Sequence, residues 1–503
     1  MTKSRPVLLL LAVSAALACG KRGPAPPPGP PTAAGPERPA VPASEPEDED
    51  GPRKQTLLRG AAVMTAAGKI YARADLLVEG RKIAAVGVDL PVPAGATVVD
   101  LAGKTLTPGI IDTHSHIGVY AAPGLIGHND GNEATAPNTA GVRAGDAYFP
   151  QDPQIDRARA GGITTMQILP GSANLFGGRS VTVRLLPGAR SIADVRFPGA
   201  PEGLKMACGE NPKRVYGNKS GPSTRMGNVA GYRDAFQKAV EYQRSWARYQ
   251  KDLSEWTAKK DEPEEASEGQ GKGKKREEPT PPARDAALET LGGVLRGEIL
   301  VHNHCYRADE MSIMLDLAAS FGFTIRSFHH ATEAYKIADR LAAAGTSASV
   351  WADWWGFKAE SFDGIRENAA LLTQAGARAI IHSDSPLGIQ RLNQEAAKAM
   401  HAGRRAGLTV TDDQALRWIT ANPAWALGIA EKTGTLEPGK LADLVVWSGD
   451  PFSVYAIAEQ VFIAGELVYV RGALEPRTDF EVGYKPGDIP SATTPPPASG
   501  AAR

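Results

Sequence analysis

Histidine placement constrains this 503-residue chain more than any other feature of its sequence. Seven of the nine histidines lie in four short clusters, and each cluster directly follows a short apolar segment. Short apolar segments bounded by polar residues are typical of buried strands. The sequence therefore predicts a sheet whose strands end in imidazoles. The four clusters are His114-Ser-His116, His302-Asn-His304, His329-His330 and His382-Ser-Asp384.

The middle of the chain, about residues 108–433, alternates strand-like segments with helical patterns, which is typical of βα units. Its length and alternation favour an α/β fold with a closed (β/α)8 TIM-type barrel, with a doubly wound open sheet as the alternative. The flanking segments 56–107 and 434–475 are β-rich and punctuated by glycine. We expect them to form one small β-sandwich domain built from both chain ends. The candidate barrel strands are 109–112, 164–169, 203–207, 299–302, 324–328, 347–351 and 379–382.

The first two clusters have the spacing of metal ligands. Side chains two residues apart on a strand point the same way, so His114 and His116 can hold one ion. Imidazole is a common ligand for zinc and related divalent metals. In the second pair we expect His302, which is nearer the apolar run, to be the ligand. His304 could be a second ligand, but we favour a substrate contact or a structural role for it.

The last two clusters do not contain two histidines at i, i+2 spacing, so the roles of their residues need separate arguments. Adjacent residues on a strand face opposite sides, so we expect at most one of His329 and His330 in the site. Asp384 can ligate the metal, accept a proton from the water that the metal activates, and pass it to the leaving group. A lone aspartate after a strand more simply caps a helix. The coincidence of four clusters favours the catalytic interpretation.

These motifs, in this order, resemble the amidohydrolase superfamily. In that family an HxH motif follows strand 1, single histidines follow strands 5 and 6, and an aspartate follows strand 8. Segments 416–428 and 434–446 resemble the family's C-terminal helix and its return into the β domain. The similarity covers roughly residues 56–475 and is closest to imidazolonepropionase-like amidohydrolases. It implies a barrel with a β-sandwich, and it implies His330 rather than His329 as the ligand.

The resemblance also implies a ligand after strand 4. Members with two metals use a carboxylated lysine there, and others use a glutamate. Both Lys205 and Glu210 are available, and burial of an uncarboxylated ammonium is costly. We favour Glu210, at the strand end, with a carboxylated Lys205 as the alternative. The number of metal ions, one or two, therefore stays open.

Two further segments are candidates for shaping a substrate pocket. Trp355 and Lys358 follow the candidate strand 347–351 and are expected to contact an apolar or anionic part of the substrate. The glycine-rich segment 171–179 follows the second candidate strand. We expect it to form a turn or to shape the pocket, because it does not match a phosphate-binding pattern.

The predicted activity is hydrolysis of an amide-type C–N bond in a dipeptide, an N-acyl amino acid or a cyclic amide. The predicted cofactor is a divalent metal, with zinc favoured. Alternatives are deamination or ester and lactone hydrolysis at the same site, and a non-catalytic surface lipoprotein that binds metal or ligand. The 56 basic and 56 acidic residues balance, which gives no argument for a nucleic-acid partner. An oligomer is compatible with the sequence, which does not predict one.

The N-terminus predicts export to the bacterial periplasm or its membrane surface. Lys3 and Arg5 precede an apolar run, residues 7–18, that is too short to span a bilayer. The run ends in Ala16-Leu-Ala-Cys19, which resembles a lipoprotein cleavage box with a lipid anchor on Cys19. Ordinary cleavage that releases a soluble protein is the alternative. The predicted segments are a signal peptide at 1–19 and disordered stretches at 20–55, 257–285 and 476–503.

The chain has only two other cysteines, Cys208 and Cys305. Two cysteines do not make a disulfide framework. Free cysteines are among the most buried residues in proteins. We therefore expect two buried thiols rather than a disulfide.

Overall fold

The computed structural model describes residues 54–219, 221–259 and 277–472. Within these residues the chain forms sixteen strands and eleven α-helices, and the strands assemble into two sheets. The strands are β1 (Gln55–Met64), β2 (Ile70–Glu79), β3 (Lys82–Gly87), β4 (Thr97–Asp100), β5 (Thr105–Pro108), β6 (Ile110–Ser115), β7 (Ile163–Ile168), β8 (Phe176–Arg184), β9 (Gly203–Ala207), β10 (Leu300–His304), β11 (Ile325–His329), β12 (Ser347–Val350), β13 (Ala379–Ile381), β14 (Leu444–Trp447), β15 (Ala458–Ile463) and β16 (Glu466–Val470). The helices are α1 (Gln154–Ala160), α2 (Ile192–Val195), α3 (Glu210–Tyr216), α4 (Arg225–Lys259), α5 (Ala286–Leu295), α6 (Ala308–Phe321), α7 (Ala338–Ala343), α8 (Asn368–Gln374), α9 (Leu392–Arg405), α10 (Asp412–Arg417) and α11 (Ala421–Ala426).

Strands β6 to β13 form one sheet in chain order. Strands β9 to β13 are parallel neighbours joined by helical connections, as in a TIM-like barrel. Apolar residues of these strands and of the surrounding helices form the main hydrophobic core. The predicted TIM-like barrel is confirmed.

Strand β8 departs from the predicted βα repeat. It runs antiparallel to both of its neighbours, β7 and β9. Its first residues belong to the glycine-rich segment 171–179, for which a turn or a pocket loop was expected. Gly178 has a φ of 119°, and a Cβ there would lie 2.6 Å from the Cγ2 of Val142. Glycine is therefore required within the strand itself, where its presence had suggested a turn.

Local signals determine where two helices begin or end. Helix α10 begins with a capping box in which Thr411 accepts a hydrogen bond from the backbone of Gln414. Helix α6, which follows β10, ends at Gly322 in the left-handed conformation, with a φ of 77°.

The first and last barrel strands are joined by individual hydrogen bonds. The backbone N–H of Asp384 donates to the carbonyl oxygen of His114 at 3.1 Å. The backbone N–H of Ser383 donates to Asp112 at 3.2 Å, and the Ser383 hydroxyl donates to the same carboxylate. Burial raises the pKa of Asp112 to about 7, although these hydrogen bonds oppose the rise. Asp112 therefore ties β6 to the segment that carries Asp384.

Both ends of the described chain contribute to the second sheet, in the order β16-β15-β14-β5-β1-β2-β3, with β4 beside β1. Strand β5 from the first half pairs antiparallel with β14 from the second half. A separate apolar cluster fills this domain, and it includes Leu58, Leu76, Leu106 and Leu444. The strands form one hydrogen-bonded sheet, and the sandwich arrangement stays a prediction.

Cys208 and Cys305 form a disulfide, so the expectation of two free thiols was wrong. Strands β9 and β10 are parallel neighbours in which Ala207 pairs with His304. The next residue on each strand is a cysteine, and the two Cα atoms are 5.3 Å apart. This proximity depends on strand pairing across 97 residues, which the cysteine count does not reveal.

Several predicted segments lie outside the described residues. Helix α4 continues to Lys259, so the first residues of the predicted insertion, 257–259, are helical. In the described ranges, no helix is both long and apolar enough to cross a membrane. The predictions outside these ranges concern the signal peptide at 1–19, Cys19, most of the linker at 20–55, residues 260–276 of the insertion and the tail at 476–503.

Candidate active site

Donor atoms from both ends of the barrel sheet converge at its carboxyl edge. The Nε2 atoms of His114 and His116 are 3.3 Å apart. The Oδ1 of Asp384 lies 3.6 Å from the first nitrogen and 3.3 Å from the second. Imidazole nitrogens and a carboxylate oxygen at these separations match the donor set of zinc and related divalent ions. The structure thus brings these three predicted site residues together.

Burial favours the neutral form of three imidazoles at this edge of the barrel, those of His114, His304 and His330. Burial lowers the pKa of His114 well below its usual value, and the neighbouring Lys205 adds to the effect. Burial likewise lowers the pKa of His304 and of His330. Neutral rings leave one nitrogen free to ligate a cation.

His330 and Asp384 share an uncommon backbone conformation. Their φ angles are 63° and 50°, in the left-handed region that residues other than glycine rarely adopt. Each residue follows a strand end, and the turn brings His330 Nδ1 to 3.7 Å from Asp384 Oδ2. Backbone strain of this kind concentrates at functional sites.

Both members of the His329-His330 pair lie in the histidine cluster, whereas strand alternation predicted only one. His329 ends β11, and its Nδ1 is 2.8 Å from the Nδ1 of His114. His330 is the member beside Asp384, at the position that the family resemblance favoured. The left-handed turn at His330 breaks the alternation on which the expectation depended.

The surroundings of His302 and His304 bear on which of the two could ligate a metal. Neither ring nitrogen of His304 has a hydrogen-bond partner, although the ring is only 3% exposed and lies 4.7 Å from that of His330. Buried polar atoms without partners in a native fold call for a ligand or a bound ion. His302 lies about 7 Å deeper along the strand, and only its Nε2 lacks a partner, because its Nδ1 is 3.0 Å from Nε2 of His329. The geometry therefore favours His304 over His302 as a ligand.

At the strand-4 position the structure brings Lys205, not Glu210, to the histidines. The Nζ of Lys205 is 3.4 Å from Nε2 of His114 and donates to the carbonyl oxygen of Pro170 at 3.0 Å. Burial lowers the pKa of Lys205 to about 7. Glu210 instead begins α3, where its Oε1 is 3.8 Å from the Nζ of Lys358.

Residues 307–469 match the model of the amidohydrolase family. A crystal structure of an amidohydrolase from Thermotoga maritima is 36% identical, with a TM-score of 0.69, and the match covers 83% of this chain and 100% of that one. The chain belongs to the amidohydrolase superfamily. The resemblance predicted from the histidine motifs is thereby confirmed.

Two other relatives are similar to this chain over most of its length. Amidohydrolase tasK from Hapsidospora irregularis is 34% identical over 86% of this chain but only 45% of its own length. The chain thus spans less than half of that relative. An imidazolonepropionase from Mesorhizobium japonicum is 26% identical over 72% of this chain and 83% of that protein.

Aromatic side chains of this amidohydrolase lie against the histidines. Trp351 follows β12 directly, and its ring stacks on His330 at 4.5 Å and on His382 at 5.2 Å. Tyr306 follows β10 and stacks on His330 at 5.5 Å. Neither residue was given a role in the site from the sequence, although Trp351 ends the candidate strand 347–351 and Tyr306 comes soon after the candidate strand 299–302. Of the aromatic residues at 351–357, Trp351 rather than the predicted Trp355 contacts the cluster.

Lys358 and His382 contact the aromatic and histidine residues of this amidohydrolase site. Lys358, predicted to contact substrate, lies 4.2 Å from the ring centroid of Tyr306 and pairs with Glu360 at 2.8 Å. His382, which was given no role, has its Nε2 2.9 Å from Nδ1 of His330 and its Nδ1 3.0 Å from the Val350 carbonyl oxygen. Its position two residues before Asp384 was the available signal.

Proposed function

We propose that this protein is a metal-dependent hydrolase of amide-type C–N bonds in small molecules. The observation that carries the proposal is the convergence of His114, His116 and Asp384, whose donor atoms all lie within 4.8 Å of one another. Membership in the amidohydrolase superfamily supports hydrolysis. Asp384 argues against a protein that only binds metal, because a proton acceptor at the centre of the site serves turnover.

The donor set fits a divalent ion, for which we propose zinc. The buried nitrogens of His304 without hydrogen-bond partners support this fit most directly. When bound, the metal polarises a substrate carbonyl and lowers the pKa of water. The proposed ligands are His114, His116, His304, His330 and Asp384.

We propose Lys205, in carboxylated form, for the strand-4 position. Its Nζ is fully buried against His114 and the Pro170 carbonyl oxygen, and burial of the charged ammonium there is costly. Addition of carbon dioxide to the neutral amine forms an N–C bond and releases one proton, leaving a carbamate anion. That anion would add two oxygens beside His114 and would support a second metal ion.

Asp384 is proposed to move the proton. Its Oδ1 faces both His114 and His116, so it can accept a proton from the attacking water and deliver it to the departing nitrogen. The hydrogen bonds of Ser383 and Asp384 to β6 hold this carboxylate in position. Removal of the carboxylate charge should therefore stop turnover without unfolding the barrel.

For the substrate we propose a small molecule with a planar or apolar group beside the C–N bond. The aromatic wall formed by Tyr306 and Trp351 supports this class. The charge of Lys358 is paired with Glu360, which weakens the earlier expectation of an anionic substrate group. Dipeptides, N-acyl amino acids and cyclic amides all remain within the proposed class.

The test is hydrolysis of a substrate panel by metal-depleted and reconstituted protein. The panel contains dipeptides, N-acetyl amino acids, cyclic amides, aminopurines and lactones. We expect cleavage of at least one amide class, lost on chelation and restored by zinc. Turnover of lactones or aminopurines alone would replace the proposed activity with esterase or deaminase activity.

We also propose that the protein is exported and lipid-anchored through Cys19. The Cys208–Cys305 disulfide supports export, because structural disulfides form in oxidising compartments. Labelling with a radioactive fatty acid in a bacterial host tests the anchor. The wild type should be labelled and C19S should not, whereas equal labelling would exclude an anchor at this cysteine.

A further inference from the structure

A chain of three imidazoles runs from the candidate metal site into the barrel interior. The Nδ1 of His114 is 2.8 Å from the Nδ1 of His329. The Nε2 of His329 is 3.0 Å from the Nδ1 of His302. All three rings are fully buried. Each link joins two nitrogens at hydrogen-bond distance, so one nitrogen of each link must donate and the other accept.

The two directions of donation have opposite consequences for His114. If His302 donates to His329 and His329 donates to His114, the proton of the neutral His114 ring is on Nε2. That is the nitrogen that faces His116 and Asp384, so it could not ligate a cation. If donation runs from His114 to His329 to His302, Nε2 of His114 is bare and available.

We propose that His329 and His302 are positioning residues that hold His114 in the tautomer able to bind metal. This inference rests on the proposed metal-dependent function. His329 accepts the Nδ1–H of His114, and His302 in turn accepts the Nε2–H of His329. Outer partners of ligating histidines fix ring orientation and tautomer in other metal sites, and their loss weakens metal binding about 10–100-fold.

The packing around His302 supports a fixed ring. A Cβ added to Gly203 would lie 2.8 Å from the Cδ2 of His302 and 2.9 Å from the Nε2 of Gln167. Glycine at 203 therefore leaves the space that the His302 ring occupies beside Gln167. In this position the His302 ring bonds His329.

The test measures cobalt(II) affinity of metal-depleted protein by competition with a chromophoric chelator. Leucine and asparagine have nearly the same shape, but only asparagine presents an oxygen where Nδ1 of His329 accepts. We expect H329L to bind cobalt about 10–100-fold more weakly than wild type, and H329N to recover most of that loss. H302L should weaken affinity without changing the number of ions bound. The melting temperature of each metal-free variant serves as the control for folding.

Several results would overturn the inference. Equal affinity of H329L and wild type would exclude a positioning role, and so would equal weakening in H329L and H329N with matching losses in melting temperature. Loss of one bound ion in H302L would make His302 a ligand, as the sequence first suggested. A wild-type protein that binds no divalent ion would refute the proposed function together with this inference. Wild-type binding with unchanged variants would refute the inference alone.

Discussion

Asp384 and His114 are 270 residues apart in sequence, yet they contact each other twice, through the backbone and through the side chains. The Asp384 N–H donates to the His114 carbonyl oxygen at 3.1 Å, and the Asp384 Oδ1 lies 3.6 Å from Nε2 of His114. The backbone contact joins the first barrel strand to the segment after the last. Closure of the barrel and assembly of the proposed catalytic group are therefore the same structural event.

The first prediction concerns D384N, which removes the proposed proton acceptor and keeps its shape. We expect kcat/KM to fall by about 10²–10⁴-fold, while the melting temperature of the metal-free protein changes little. Steady-state kinetics and circular dichroism measure the two effects. D353N is the matched control, because Asp353 also follows a barrel strand but pairs with Lys398 at 3.2 Å. Full activity in D384N would remove Asp384 from the mechanism.

The second prediction separates Lys205 from Glu210. K205M keeps the length and burial of the side chain but cannot be carboxylated, so the metal bound per chain and the activity should both fall. E210Q should retain both, because Glu210 lies beside Lys358 and not beside His114. Elemental analysis and kinetics on the two variants provide the comparison. The opposite outcome, with E210Q impaired and K205M intact, would restore Glu210 as the ligand.

The third prediction is a pH dependence of stability that comes from Glu310. Burial raises the pKa of Glu310 from 4.5 to about 7, and Glu360 adds to the rise. The folded state therefore holds this proton more tightly than the unfolded state, so the contribution of Glu310 to stability falls as pH rises from about 4.5 to 7. Glutamine does not ionise, so the E310Q variant does not lose stability at this position as the pH rises. The free energy of unfolding of E310Q minus that of wild type should therefore be larger at pH 8 than at pH 5. The increase between the two pH values should be at most about 3 kcal/mol.

Urea unfolding of E310Q and wild type at the two pH values measures this difference. E298Q is the control, since a hydrogen bond from Arg296 lowers the pKa of Glu298. Its stabilising contribution is present above pH 4.5 and is lost only below it, so E298Q should show the same difference from wild type at pH 5 and pH 8. A pH-independent effect of E310Q would contradict the raised pKa.

The fourth prediction concerns the disulfide. Cross-linking across 97 residues restricts the unfolded chain, so the C208A/C305A double variant should lose about 2–5 kcal/mol in the free energy of unfolding. Both cysteines are buried, so a mild reductant should leave the native wild type unchanged and act only during unfolding. Urea unfolding with and without reductant checks both statements. A double variant as stable as the wild type would show that the bridge does not contribute to stability.

Much of the architecture could be predicted because apolar strands and polar strand ends leave local signals. Seven barrel strands were located from such runs, and the HxH motif and Asp384 were placed at strand ends. Strand β8 was missed because Gly177 and Gly178 interrupt its apolar pattern, although Gly178 is needed where the backbone of Val142 approaches. A glycine that serves close packing has the same appearance in sequence as one that serves a turn.

The disulfide and the details of the candidate site depend on distances that no local pattern encodes. Sequence spacing showed that His302 and His304 face the same way. It did not show which of them lies far enough along the strand to reach the site. The disulfide depends on the register of β9 against β10, and the role of Lys205 depends on how far a long side chain reaches along the barrel. His330 joins His329 in the cluster through a left-handed turn at His330 that alternation does not predict.

The central claim is that imidazoles and Asp384 hold a catalytic divalent ion, and metal content measured together with activity tests it most directly. Purified protein should contain one or two divalent ions per chain by elemental analysis. Exhaustive chelation should abolish C–N bond hydrolysis, and titration with zinc should restore hydrolysis in proportion to the metal bound. Metal-free protein that hydrolyses the same substrate at the full rate would contradict the claim.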